Sequence, residues 1–396
     1  MTDKRNLMTV IKRIAFTLLI ILIYIMGTYI PVPFADITAR YEQIMGNTSL
    51  SLMSVMSGAN FLRLSIFSLG LNPFMIVTLL MQLLIFTKFL GLDALSMNQI
   101  QIVQQVMLLA FTIVQAFFFT YSMIPERNFK RDLTVVLILT AGSLLTVWFC
   151  FMNVKFGIGG TMPIILVNII ISLIPTLSIL FHSLLKVKNY QLWIFLVIIL
   201  TLLVTFFWIA FNHAYYPLKV IDTSLPSYAK EVVTPIGLNI GAMMTYMIGM
   251  AILSLPTMMR QFFPRNSIIN NTNFNMIVTA ILSFILFYFF TFMTVDPKET
   301  AKSMRDKHSY IPTIRPGKPT QKYLTHLLLI VTFPGAFLTT LQIMVGLYGR
   351  MFLGQYAGIT VIPMNVMMLT LFLSGMEDKI KTMLYPHKYD RLMKEE

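Results

Sequence analysis

The chain is poor in charge. Asp, Glu, Lys and Arg make up 12% of its 396 residues, against 57% that are hydrophobic. Soluble domains carry about 25% charged residues, so a water-soluble catalytic domain of any size is excluded. Cysteine is nearly absent: Cys150, in an apolar run, stands alone, which rules out an intramolecular disulfide and a cysteine-rich metal site. Also missing from the middle of the long apolar runs is any Asp, Glu, Lys or Arg. Ion-coupled transporters and pumps need a titratable group at that depth. His182, His213 and His326 lie near run ends, where an interfacial place suits them. The chain has no His-Glu-x-x-His pair, no Gly-x-Ser-x-Gly elbow and no phosphate loop, since Gly317-Lys318 lacks the upstream glycine. No enzyme, cofactor or metal is therefore expected.

What is present is apolar length. A bilayer crossing takes about 20 apolar residues. Uncharged runs lie near 14–30, 68–86, 100–124, 133–152, 163–185, 191–213, 238–256, 274–295, 323–347 and 358–376. They predict an all-α polytopic membrane protein with ten transmembrane helices. The first run follows Lys4, Arg5, Lys12 and Arg13, as in a signal peptide, but no small-residue cleavage site follows, so it is read as a retained helix. The net charge of +14 is then an orientation signal and a lipid-facing charge, with no nucleic-acid partner. With ten crossings, the side that holds both termini carries Lys and Arg about two to one over the other side. That makes both termini cytoplasmic.

The polar residues inside the runs are amides and hydroxyls: Gln82, Gln101, Gln104, Gln105, Gln115, Asn168, Thr245 and Gln342. They join helices by hydrogen bonds, or some of them line a seam that opens. A passage without a charged site suits cargo that is not recognised by one specific group. A small-solute transporter is the rival from another class, and it lacks a charged binding site. The stretch 57–73 is apolar but broken by Gly58, Gly70 and Pro73. Irregular backbone at membrane depth is tolerated only where protein buries it or water lines it.

That stretch, with Ser57-Gly58-Ala59 leading to Ser65-Ile66-Phe67-Ser68-Leu69-Gly70 and Pro73, resembles the plug and the start of the second helix of the SecY family of protein-conducting channels. Four further strings follow the same order. Gly27-Thr28-Tyr29-Ile30-Pro31-Val32-Pro33 resembles the end of the first helix, and Gly157-Ile158-Gly159-Gly160 the turn before the fifth. Pro235, Asn239 and Pro256 fit the seventh helix. Asp296-Pro297-Lys298-Glu299-Thr300-Ala301, followed by Ile314-Arg315-Pro316-Gly317, resembles the large cytoplasmic loop after the eighth.

The resemblance implies two pseudo-symmetric halves of five helices, 1–185 and 186–396, around an hourglass pore in a bacterial cytoplasmic membrane. It places a plug helix at about 57–67, including Ser57, Gly58, Ala59, Asn60, Phe61, Leu62, Arg63 and Leu64. Apolar pore-ring residues fall at Leu71, Met75, Leu166, Ile170, Met247 and Met367. Gln82, Gln115 and Thr245 become candidates for the lining of a lateral gate between spans two and three and spans seven and eight. In the cytoplasmic loop at about 296–322, which carries seven basic and three acidic residues, Arg315, Pro316 and Gly317 resemble the dock for a SecA-type motor ATPase. Tyr389, in the cytoplasmic tail, sits near that motor. Small SecE-like and SecG-like membrane subunits are the implied companions.

Departures from the housekeeping pattern point to the accessory Sec form of the family, which exports large serine-rich glycosylated adhesins as unfolded chains with the help of further accessory Sec proteins. The segment 87–99 holds only Lys88 and Asp93, the segment 214–237 is short with few basic residues, and the plug reads Ser-Gly-Ala in place of Ser-Gly-Gly. The housekeeping channel for general secretion and membrane insertion is the alternative.

Overall fold

Backbone in hydrocarbon must satisfy its own N–H and C=O groups, so each long apolar run closes into a helix. The computed structural model describes residues 2–33, 65–86, 95–123, 128–186, 189–223, 231–249, 272–353 and 358–384. These fall into two compact units. One takes the described chain up to His182 together with Gly375–Ile380; the other takes Ser183–Gly249 and the described residues from 272 to Ser374.

The first unit is built from α1 (Thr2–Thr28), α2 (Asn72–Phe86), α3 (Met97–Met123), α4 (Phe129–Phe156) and α5 (Met162–Leu185), whose last turn passes into the second unit. Helix α3 packs along α4, α2 along α3, and α1 against α4. The α2 helix, at 15 residues, is shorter than the run at 68–86 suggested. Residues 65–71 are not helical, and Ser65, Phe67, Leu69 and Leu71 are buried in protein, the condition under which irregular backbone survives at that depth.

One buried amide ties α1 to α4 and to the turn before α5. The Asn153 Nδ2 donates to the carbonyls of Ile158 and Gly160, both at 2.9 Å. Its Oδ1 accepts from the Thr17 hydroxyl at 2.8 Å, and the same hydroxyl accepts from the Ile158 N–H at 2.9 Å. Gly159 and Gly160, with φ of 88° and 60°, make the turn in a backbone region that other residues enter at a cost.

The second unit holds α6 (Tyr190–His213), β1 (Tyr215–Asp222), β2 (Glu231–Gly237), α7 (Ala242–Met244, widening into a π-turn at Thr245–Gly249), α8 (Thr272–Thr294), α9 (Pro297–Asp306), β3 (Ser309–Tyr310), α10 (Lys318–Val331) and α11 (Phe333–Leu353). Most of α12 (Gly358–Leu384) completes it. Five helices are by themselves long and apolar enough to cross a bilayer, among the described residues. The expected span 323–347 is a bent pair, α10 and α11, meeting at 42° around Thr332. The segment 214–237, read from sequence only as a short connection, forms an antiparallel pair with Tyr215 opposite Gly237. β3 adds to it through Ile221 and Tyr310, giving the order β2-β1-β3. Alternating apolar residues explain this. Leu218, Val220 and Ile236 join Ala301, Ile311, Leu324 and Leu328 in a small core under α9 and α10.

The two units repeat one device. In the first, the Ile66 N–H donates to the Ile30 carbonyl just past α1, and the Ile66 carbonyl lies against Gly142 of α4. In the second, the Leu238 N–H donates to the Ala214 carbonyl just past α6, and the Leu238 carbonyl lies against Gly335 of α11. The first and last helices of each set are also bonded, Tyr24 to Asn168 in one and Asn212 to Thr370 in the other.

A methyl group at Gly142 or Gly335 would strike a backbone carbonyl, which cannot swing aside as a side chain can. Gly142→Ala and Gly335→Ala should each destabilise the detergent-solubilised protein by about 1–3 kcal/mol, read as a lower Tm. Asn153→Ala, which strands several buried partners at once, should cost at least as much.

Candidate functional site

The candidate pore residues divide between the two units. In the first, Leu71 and Met75 stand one helical turn apart at the head of α2. The Met75 N–H donates to the Leu71 carbonyl at 2.9 Å, and both side chains are buried. Pro73 fits there because the first turn of a helix has no use for that N–H. Leu166 and Ile170 are likewise one turn apart on α5; Leu166 is buried and Ile170 is 50% exposed. In the second unit Met247 falls within the π-turn, and Met367, on α12, is fully buried.

Of the plug, Ser57 to Leu64 lie outside the described residues, as does Tyr389. The end of that stretch is held firmly. Ser65 bridges to Pro31, and the Phe67 ring stacks on Tyr24 at 5.4 Å and meets Phe149 edge-on. The Ser143 hydroxyl donates to the Gly70 carbonyl at 2.9 Å, so α4 pins the last loop residues before α2. None of Tyr24, Phe149 and Ser143 is marked by a motif. Their partners lie far along the chain, and only folding brings them in.

The three candidate gate residues differ. Gln82 on α2 and Gln115 on α3 each keep a buried Oε1 without a hydrogen-bond partner among the described residues. A different pair, the Gln104 amide donating to Thr78 at 3.2 Å, bonds the two helices. Thr245 is fully buried, and its hydroxyl donates to the Gly241 carbonyl at 2.7 Å.

The candidate dock is ordered by its own small core. Asp296 caps α9 by accepting the Lys298 N–H at 2.8 Å, Pro297 begins the helix, and Arg305 ends it where the dipole favours a cation. Beyond β3, Ile311 is buried and Ile314 packs on the same cluster, which leaves Arg315 and Pro316 exposed. The Thr320 hydroxyl donates to the Arg315 carbonyl at 2.8 Å, and Gly317, at φ 102°, turns the chain into α10. Nothing crowds Gly317, so it is the backbone angle that asks for glycine there. Lys298, Lys302, Lys307, Lys318 and Lys322 are all exposed, and Arg305 pairs with Asp306 at 3.3 Å. The result is a firm, positively charged surface with Arg315 at a turn. Beside it, a cavity of about 450 Å³ between α9 and the sheet is lined by Thr234, Asp296, Glu299, Ser303 and Lys307, among others. No group of three or more His, Cys, Asp or Glu that would hold a metal occurs among the described residues.

Comparisons with known proteins find relatives along nearly the whole chain. The accessory Sec system protein translocase subunit SecY2 of Lactobacillus johnsonii is 48% identical over 99% of this chain and 100% of its own length. The SecY2 subunit of Staphylococcus carnosus is 29% identical over 87% of this chain and 94% of that one. The general translocase subunit SecY of Staphylococcus aureus is 26% identical, with 84% and 85% covered. Among solved structures, a protein conducting channel shares the fold at a TM-score of 0.62 and 17% identity, over 95% of this chain and 94% of that one. A SecY channel described with its plug domain matches at 0.61 and 16%, with the same coverage. The SecY family model matches residues 65–372, from the bridge at Ser65 to the buried Phe372 of α12, and the chain belongs to the SecY family.

Proposed function

We propose that this chain is the central, non-catalytic channel subunit of an accessory protein translocase, passing unfolded secretory polypeptides across a bacterial cytoplasmic membrane. The observation that carries the accessory reading is the 48% identity, along essentially the whole chain, to a SecY2 subunit, against 26% to a general SecY. Its cargo class is the large serine-rich glycosylated adhesin. Both termini are cytoplasmic, the halves are 1–185 and 186–396, and SecE-like and SecG-like subunits accompany it.

The chemistry of the chain supports such a passage. An apolar ring of Leu71, Met75, Leu166, Ile170, Met247 and Met367 dewets a narrow neck and blocks ions, yet parts around an extended polypeptide. Methionine suits this because it is flexible and indifferent to the sequence passing it. The plug at about 57–67 closes the outer funnel at rest, hinged where Phe67 is clamped by Tyr24 and Phe149. Gln82 and Gln115 supply carbonyl oxygens without a partner among the described residues, which suits a seam that gains partners on opening.

No step in this passage releases energy, so the work must come from a partner. Arg315 is the docking residue for a SecA-type ATPase, with Pro316, Gly317 and Tyr389 around it. A guanidinium forks onto a carboxylate, and the folded loop presents it without further ordering, which lowers the entropic cost of binding.

Two experiments test this reading. Cys150 is buried in apolar surroundings, so Cys150→Ala gives a cysteine-free background in which Met75→Cys should crosslink to a stalled secretory chain; no adduct at all would sink the channel reading. Arg315→Glu should lower export at least tenfold while membrane insertion stays normal, and undiminished export would remove Arg315 from the dock.

A further inference from the structure

The second unit contains a hydrogen-bonded chain that joins three helices and, through an amide on one of them, links irregular points in the other two. One point is the π-turn at Thr245–Gly249, a wide turn of a kind often found at functional places. The other is Pro363, inside α12, and the amide is that of Gln342 on α11. The Tyr246 hydroxyl, within the π-turn, donates to Gln342 Oε1 at 3.2 Å. The Gln342 Nε2 donates to the Pro363 carbonyl at 2.6 Å. Tyr246 is fully buried and Gln342 almost so, which leaves this side chain little freedom to find other partners.

We propose that Gln342 is a positioning residue. Its amide is a strut that sets the angle of α12 at Pro363, and so the position of Met367 in the neck, according to the state of the π-turn in α7. The proposal rests on the reading of the chain as a channel. Proline removes an N–H and clashes with the preceding turn, so a helix bends most easily there. The carbonyl that Gln342 holds is the one that α-helical geometry assigns to the Met367 N–H, four residues on. A carbonyl has two lone pairs, so both donors fit. The strut therefore lands on the turn that carries Met367, and its far end is fixed by Tyr246. A nearby group marks the hinge as a place with a second arrangement. Asn365 is buried, and its Oδ1 has no partner among the described residues. Such an orphan is costly, and a change of bend gives it a way to be satisfied.

The test uses the full chain with its membrane partners, in the Cys150→Ala background, with Met367→Cys as reporter and a membrane-impermeant maleimide as probe. Gln342→Met keeps the volume and removes both hydrogen bonds. It should raise the resting labelling rate of the Met367→Cys thiol about tenfold, the shift in hinge equilibrium that one buried hydrogen bond carries. Tyr246→Phe should raise it less, and should add nothing on top of Gln342→Met. Pro363→Ala restores the helical N–H, and in that background Gln342→Met should change the rate less than twofold. A merely structural glutamine would lower protein abundance without this dependence on Pro363. An unchanged rate in Gln342→Met, or a tenfold rise that persists with Pro363→Ala, would overturn the strut. If Gln342→Met does not accumulate, Tyr246→Phe with and without Pro363→Ala makes the same comparison. The Met75→Cys adduct separates the two readings: labelling that responds as expected without an adduct keeps the strut and sinks the channel, and an adduct with unresponsive labelling does the reverse.

Discussion

The constraint on which everything else in this chain depends is that hydrocarbon offers no hydrogen-bond partners. A backbone or side-chain polar group at that depth is matched within the protein or carries a cost in free energy. The matched groups are the fixed points of the fold. Asn153 meets Thr17 and two turn carbonyls, Tyr24 meets Asn168, and Ser143 meets the carbonyl of Gly70. Among the described residues, Gln82 and Gln115, the candidates for the gate, and Asn365 on α12 each keep a buried side-chain oxygen without a partner, as do Ser65, Asn72 and Thr340.

Close packing follows the same logic. Where two helices would otherwise hold a loop away, a glycine lets backbone touch backbone. Gly142 admits the Ile66 carbonyl and Gly335 admits that of Leu238. These contacts fix where α2 and α7 begin, and so where Leu71, Met75 and Met247, the candidates for the neck near the starts of those helices, stand. The same contact occurs in both units, each time beside a backbone bond to the residues just past a long helix.

The charged segment at 296–322 obeys a different physics, because most of its basic side chains are exposed. Its order comes from a conventional apolar core of Leu218, Val220, Ile236, Ala301, Ile311, Leu324 and Leu328, which keeps a highly charged loop from wandering. Seven basic residues would make a floppy loop a weak and unspecific binder. Folded on this core, they become a surface with a shape. The sheet left little sign in the sequence because β1 and β2 lie in a stretch that reads as a connection between apolar runs, and β3 has two residues. The partners of β3 on β1 are more than 80 residues away.

The sequence alone determined that this is an all-α protein of the bilayer without a charged relay, and order-matched strings such as Ser65-Ile66-Phe67 and Ile314-Arg315-Pro316-Gly317 were enough to place its family. Composition and period are local properties, and hydrocarbon punishes any departure from them. Tertiary structure decided what each polar side chain does. Thr245, a candidate for lining the gate, gives its hydroxyl to the Gly241 carbonyl, while Gln342, one amide among several, bridges Tyr246 and Pro363. It also decided where helices break: α2 starts late, and the ninth span bends at Thr332. The reason is the same in each case. A hydrogen bond or a close backbone contact is made by two residues distant in the chain, and their types say what they can bond to, not which of the many available partners the fold brings within 3 Å.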